Sequence, residues 1–91
     1  ADSQIIAGQI SDFLVKVQEV RCSFLFYHTE KGLCLSARSN GSINVQVIME
    51  ALGGGGHQTV AGAQFGEEGN IKTLTGEIIA LVRKQIEEEK E

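Results

Sequence analysis

Four consecutive glycines, Gly53, Gly54, Gly55 and Gly56, stand directly before His57. Glycine repeats are entropically costly to order and give nothing to a core. They make sense where backbone must approach another group closely, with successive N–H groups turned toward an anion. His57 adds one side-chain donor when neutral and two when charged. The bland reading is a flexible link between two elements, but links of that kind mix Ser or Asn among their glycines. Arg38 is the second candidate. It ends a stretch of strand-like sequence just before the polar run Ser39–Ser42, where a guanidinium fork can meet phosphate oxygens. Ser39 and Asn44 offer neutral hydrogen bonds nearby. Read alone, Arg38 serves equally well as a solvated charge or as a partner for Glu50.

Two familiar phosphate loops are excluded. A P-loop needs G-x-x-x-x-G-K-[ST], and no Lys lies between Lys31 and Lys72. A dinucleotide fingerprint counted from Gly54 meets Thr59 where its third glycine should be. Metal-assisted hydrolysis needs several carboxylates and imidazoles around a pair of ions. The chain has only Asp2 and Asp12, both in its first segment, and two His. No serine has an identifiable base and orienting acid. The expectation is a domain that binds and is not catalytic by itself.

The elements that must position these residues follow from periodicity. Ile5, Ile6, Ile10, Phe13, Leu14 and Val17 repeat at helical spacing over 3–18, with Ser3 or Asp2 as N-cap. Residues 20–28 are aromatic and β-branched, and with Leu33–Arg38 they predict a hairpin closed by Thr29–Gly32. Pairing His28 with Leu33 sets Phe26 opposite Leu35 and Phe24 opposite Ala37 on a buried side. Ser23, Leu25, Tyr27, Cys34, Ser36 and Arg38 then share the other side. Cys22 and Cys34 fall on opposite faces, so they are expected to be two free, small, buried residues. Asn40-Gly41 is a turn signal, and Ser42 is the N-cap expected for a short helix over 43–52 stopped by Gly53 at C′. Val60–Phe65 predicts a third strand, and a last helix runs from Asn70. Its acidic end opposes the helix dipole, so 87–91 is expected to fray or to lead into missing sequence. The fold expected is α/β, a small mixed β-sheet flanked by helices in the order α-β-β-α-β-α, with at least one crossover. Because Arg38 and the glycines leave opposite ends of helix 43–52, they meet only if the chain after Gly53 folds back along it.

Ninety-one residues at 42% hydrophobic and 22% charged make one small globular domain. Eight Lys and Arg against 12 Asp and Glu give −4, and the last five residues carry −3 of it. The body is near neutral, so no basic field holds long nucleic acid. No apolar run approaches a membrane span and no leader is visible, so neither anchor nor signal peptide is expected. The chain begins Ala-Asp-Ser and reads as a piece of a longer protein. Two free thiols fit a cytoplasmic setting, with no direct membrane contact.

The run SARSNGSINVQVIMEALGGGGHQTVAGAQF, Ser36 to Phe65, resembles the C-terminal DHH-associated domain of DHH-family phosphoesterases, marked by Gly-Gly-Gly-His and small residues after it. S-A-R-S ahead of the helix, with four glycines, is similar to membrane-anchored cyclic di-AMP phosphodiesterases. Val60-Ala61-Gly62 stands where that family usually has Ala-Ala-Gly. Alanyl-tRNA synthetases carry a related domain without the Gly-Gly-Gly-His form. The resemblance implies that residues 1–91 are a substrate-binding domain whose partner is an N-terminal DHH catalytic domain of the same chain. That partner would hold manganese, with no metal or cofactor in these residues. It implies that Arg38 and Ser39 contact a phosphate, that Gly53–Gly56 and His57 hold phosphate or nucleotide, and that Asn44 assists. The ligand expected is a nucleotide or dinucleotide, and the parent enzyme a phosphodiesterase. Alternatives are the same domain of an oligoribonuclease or single-strand exonuclease, or a structural domain that forms a homodimer and binds nothing.

Overall fold

The computed structural model describes residues 20–90, so the expected helix over 3–18 lies outside the described residues. Strand β1, Cys22–Thr29, pairs with β2, Gly32–Ser39, in the register the hydrophobic pattern demands, with Phe26 opposite Leu35 and Phe24 opposite Ala37. The connection is tighter than expected. Thr29 already pairs with Gly32, so only Glu30 and Lys31 form the loop, and the Thr29 hydroxyl accepts from the Lys31 amide at 3.1 Å.

Helix α1 spans Val45–Ala51, a short strand β3 is Gly55–Gly56, β4 is Val60–Gly66, and helix α2 is Ile71–Glu89. The strands lie in the order β1-β2-β4-β3. The α/β class and the crossover from β2 to β4 hold as expected, and the described elements follow the expected order with one strand, β3, added. The pairings are antiparallel throughout rather than mixed. The cause lies in the crossover. Seven-residue α1 runs only about 10 Å, and β3 brings the chain back, so β4 starts opposite Arg38 and retraces β2. β3 has no apolar signal, and its two glycines gave the sequence no reason to expect a strand.

Beneath the sheet, Leu35, Ala37, Ile43, Val45, Ile48, Met49, Ala61, Ala63 and Ile78 form the buried core, with Phe24 and Phe26 packed against it. The alternation of β2 and β4 and the 3.6-residue period of the helices put these residues on one side. Cys22 packs against that core and Cys34 is buried, both as free thiols. Burial pushes the Cys22 thiol above its ordinary value, and the neighbouring Arg21 charge opposes the rise.

One helix end departs from expectation. The N-cap of α1 is Asn44, not Ser42. Ser42 instead closes an Asx turn, its amide and hydroxyl both donating to Asn40 Oδ1 at 2.9 and 2.6 Å. Asn70, where the last helix was expected to start, is the N-cap of α2. The helix continues to Glu89, whose carboxylate pairs with Arg21, while Arg21 Nε donates to Ser42 Oγ. A cation from the start of β1 thus offsets the unfavourable acidic end.

Candidate functional site

The glycine run is not a linker. Leu52 closes α1, the Gly53 amide donates to Glu50 O at 3.1 Å and the Gly54 amide to Met49 O at 2.7 Å. This is the Schellman pattern, with Gly53 at φ +89 in the expected C′ position. Gly54 has no space for a side chain, since a Cβ would lie 2.2 Å from Gly62 O. Gly56 combines φ +143 with a Cβ position 2.5 Å from Ala61 Cα. Three of the four glycines are therefore required by the fold. Gly55 is not, because a Cβ there meets nothing within 4 Å and its φ is ordinary.

The return along β3 brings the two halves of the sequence motif together. Gly55 pairs with Gly62 and Gly56 with Ala61. His57 and Val60 then exchange backbone hydrogen bonds, leaving Gln58-Thr59 as the tip of a β3–β4 hairpin. That tip is fastened to the β2–α1 connection. The Ser39 amide donates to Thr59 O at 3.0 Å, and the Val45 amide donates to Gln58 O at 3.0 Å. Because Val60 is also opposite Arg38, the row Arg38–Val60–His57 runs across the sheet on one face. Two strand spacings separate Arg38 from His57, about 10 Å between Cα atoms. The end of the glycine run thus lies beside Arg38, although the helix between them points away.

The neighbouring row on that face is Leu25, Ser36, Gly62 and Gly55, whose side chains shrink toward the β3 edge. The result is a side-chain-free floor. Gly55 and Gly62 of this floor also line an open concavity of about 550 Å³, together with Gly53, Gly54, Leu35, Ala63, Tyr27 and Gln64, while Arg38 and His57 stand outside its lining. The Arg38 guanidinium lies back toward this floor, its Nη1 donating to Ser36 Oγ at 3.1 Å and Ala37 O at 2.9 Å. His57 is exposed.

Ser39 and Asn44 are placed differently. The buried Ser39 hydroxyl donates to Ile43 O at 2.5 Å and accepts from the Gly41 amide at 3.0 Å. Asn44 Oδ1 accepts from the Gln46 and Val47 amides at 3.0 and 3.3 Å. Its backbone N–H and C=O are bound in turn by the Gln85 carboxamide at 2.8 and 2.9 Å. Asn44 lines a separate cavity of about 480 Å³ with Ser42, Lys84, Gln85 and Glu88. Both residues brace the β2–α1 connection that follows Arg38.

Sequence reasoning missed Tyr27, Gln64 and Gly62. Tyr27 was already on the Arg38 face of the hairpin, but Gln64 and Gly62 join that face only through the β2–β4 register, which no local pattern encodes. Among the described residues no three His, Cys, Asp or Glu side chains are grouped to hold a metal ion. No helix among the described residues is long and apolar enough to cross a membrane.

Known proteins resemble this chain in sequence and in fold. The chain is 48% identical over 63 residues to the cyclic-di-AMP phosphodiesterase GdpP of Bacillus subtilis, covering 68% of this chain and 10% of that protein. It is 48% identical over 62 residues to the cyclic-di-AMP phosphodiesterase PdeA of Listeria monocytogenes, covering 67% and 9%. The chain therefore spans about a tenth of the length of these curated relatives. A crystal structure of an exopolyphosphatase-related protein from Bacteroides fragilis shares the fold, with a TM-score of 0.72 at 20% identity over 89% of this chain and 24% of that one. The DHHA1 domain profile matches residues 2–84. The chain, with its glycine-His hairpin docked beside Arg38, belongs to the DHHA1 domain family found in DHH phosphoesterases.

Proposed function

We propose that this domain holds the substrate of a DHH-family phosphodiesterase that cleaves a cyclic or linear adenine dinucleotide. One observation carries the reading: the β3–β4 hairpin returns His57 to the sheet face of Arg38, with a floor free of side chains beside them. Imidazole and guanidinium are suited to phosphate oxygens. Gly55, which the fold does not require to be glycine, lets a ligand approach the backbone. The sequence likeness to cyclic-di-AMP phosphodiesterases of two bacteria supports the choice of ligand. Ser39, Asn44, Gly53, Gly54 and Gly56 act by positioning this surface, and Arg38 and His57 by meeting the phosphate.

Hydrolysis itself is assigned to a separate N-terminal DHH domain, with manganese as its cofactor, in the cytoplasm. The present residues bind and orient the dinucleotide and hold its phosphate against that domain. Calorimetry of the 91-residue chain with linear di-adenylate tests the reading. The expected result is saturable 1:1 binding on the order of millimolar. With few phosphates contacted, the salt dependence is shallow, with a log–log slope of about −1. A ten-nucleotide strand should bind no more tightly per site. A large affinity gain with strand length would favour the oligoribonuclease reading, and no binding of either would contradict nucleotide recognition.

A further inference from the structure

The concavity lies to one side of the Arg38–Val60–His57 row, and Tyr27 and Gln64 in its lining have no role in the account so far. Tyr27 and Gln64 stand in the row Tyr27–Cys34–Gln64 on the same face as Arg38. Gln64 is exposed, and among the described residues its carboxamide makes no hydrogen bond. Tyr27 is half-buried and lines the cavity. Cys34 between them is buried.

Spacing along β4 gives this end its meaning. Val60 and Gln64 are four residues apart, about 13 Å along the strand, with Gly62 midway. That is roughly the reach from a 5′-phosphate to the outer edge of its purine. Resting on the nucleotide reading above, we infer that Gln64 is a specificity-determining residue that reads the edge of an adenine base. The phosphate lies at Arg38 and His57, the ribose crosses Gly55 and Gly62, and the base enters beside Tyr27. The ribose position explains why the floor carries no side chains at its middle. A carboxamide both donates and accepts, and so makes two bonds to adenine through N6 and N7. Adenine is thereby preferred over guanine, which presents two acceptors on that edge. The Tyr27 ring supplies an aromatic surface against the base.

The test compares 5′-AMP, 5′-GMP and ribose 5-phosphate on the wild-type chain, Gln64→Ala and His57→Ala, with affinities from titration calorimetry or amide shifts. Gln64 is exposed on a strand, and a far-UV spectrum checks that the variant keeps its fold. The wild type is expected to bind AMP on the order of tenfold more tightly than GMP or ribose 5-phosphate. Gln64→Ala should level AMP with GMP and leave ribose 5-phosphate unchanged. Retention of the wild-type preference for AMP over GMP in Gln64→Ala overturns the inference and leaves the phosphate reading standing. Ribose 5-phosphate that fails to bind, or binds equally well to His57→Ala, overturns the phosphate reading and this inference with it.

Discussion

Gly56→Ala is expected to destabilise the domain by about 3 kcal/mol or more, whereas Gly55→Ala, one residue earlier, leaves stability within about 0.5 kcal/mol. At Gly56 two costs combine. The backbone conformation is one that L side chains rarely adopt, which costs of order 1–3 kcal/mol. The new methyl also meets the β4 backbone, 2.5 Å from Ala61 Cα and 2.6 Å from Val60 O. Forcing atoms into a packed seam costs typically about 1–3 kcal/mol. For a chain of 91 residues the midpoint of thermal unfolding should fall by roughly 12 °C or more, as followed by circular dichroism. Gly55→Ala should unfold with the wild type yet bind di-adenylate several-fold more weakly, because its methyl occupies the floor. Equal stability of the two variants would contradict the division of the glycines into structural and ligand-facing positions.

That division was only partly legible in the sequence. Gly53 could be placed as a helix stop because a short apolar period ends at Leu52 and helix termination is local physics. The hairpin register was equally legible, since a one-residue slip would have turned Phe24, Phe26, Leu35 and Ala37 out of the core. The roles of Gly54 and Gly56 were not. They depend on contacts with Gly62, Ala63 and Ala61, which come from the tertiary pairing of β3 with β4. The same pairing removes the apparent conflict between Arg38 and the glycines, because the chain after Gly53 does fold back. Ser39 and Asn44 show the converse. Their residue types suit phosphate contacts, but local geometry engages Ser39 with Ile43 and Gly41, and Asn44 with the first turn of α1. The Gln85 carboxamide that grips the Asn44 backbone had no sequence signal, being 41 residues away.

Removing Arg38 and His57 together is the second large effect expected. Each offers a hydrogen bond to an anion, and charge-assisted bonds contribute about 1.5–3 kcal/mol. Each single alanine variant should therefore weaken di-adenylate binding on the order of tenfold, and the pair on the order of a hundredfold or more. His57 is exposed, and His57→Ala should unfold with the wild type. If both residues hold the same phosphate, the cycle of single and double variants will show coupling. If they hold the two ends of a longer ligand, their effects will add. Wild-type affinity in the double variant would contradict a shared binding face.

The central claim is that the β3–β4 hairpin and the end of β2 form one binding surface. The most direct measurement is a ¹⁵N titration of the chain with linear di-adenylate, following the amides of Gly55, Gly56, His57 and Arg38. The account predicts that all four move along a single isotherm, while the amides of Asn44 and Gln85 in the separate cavity stay still. Movement of the glycine–His residues without Arg38, of Arg38 without them, or of neither would contradict it.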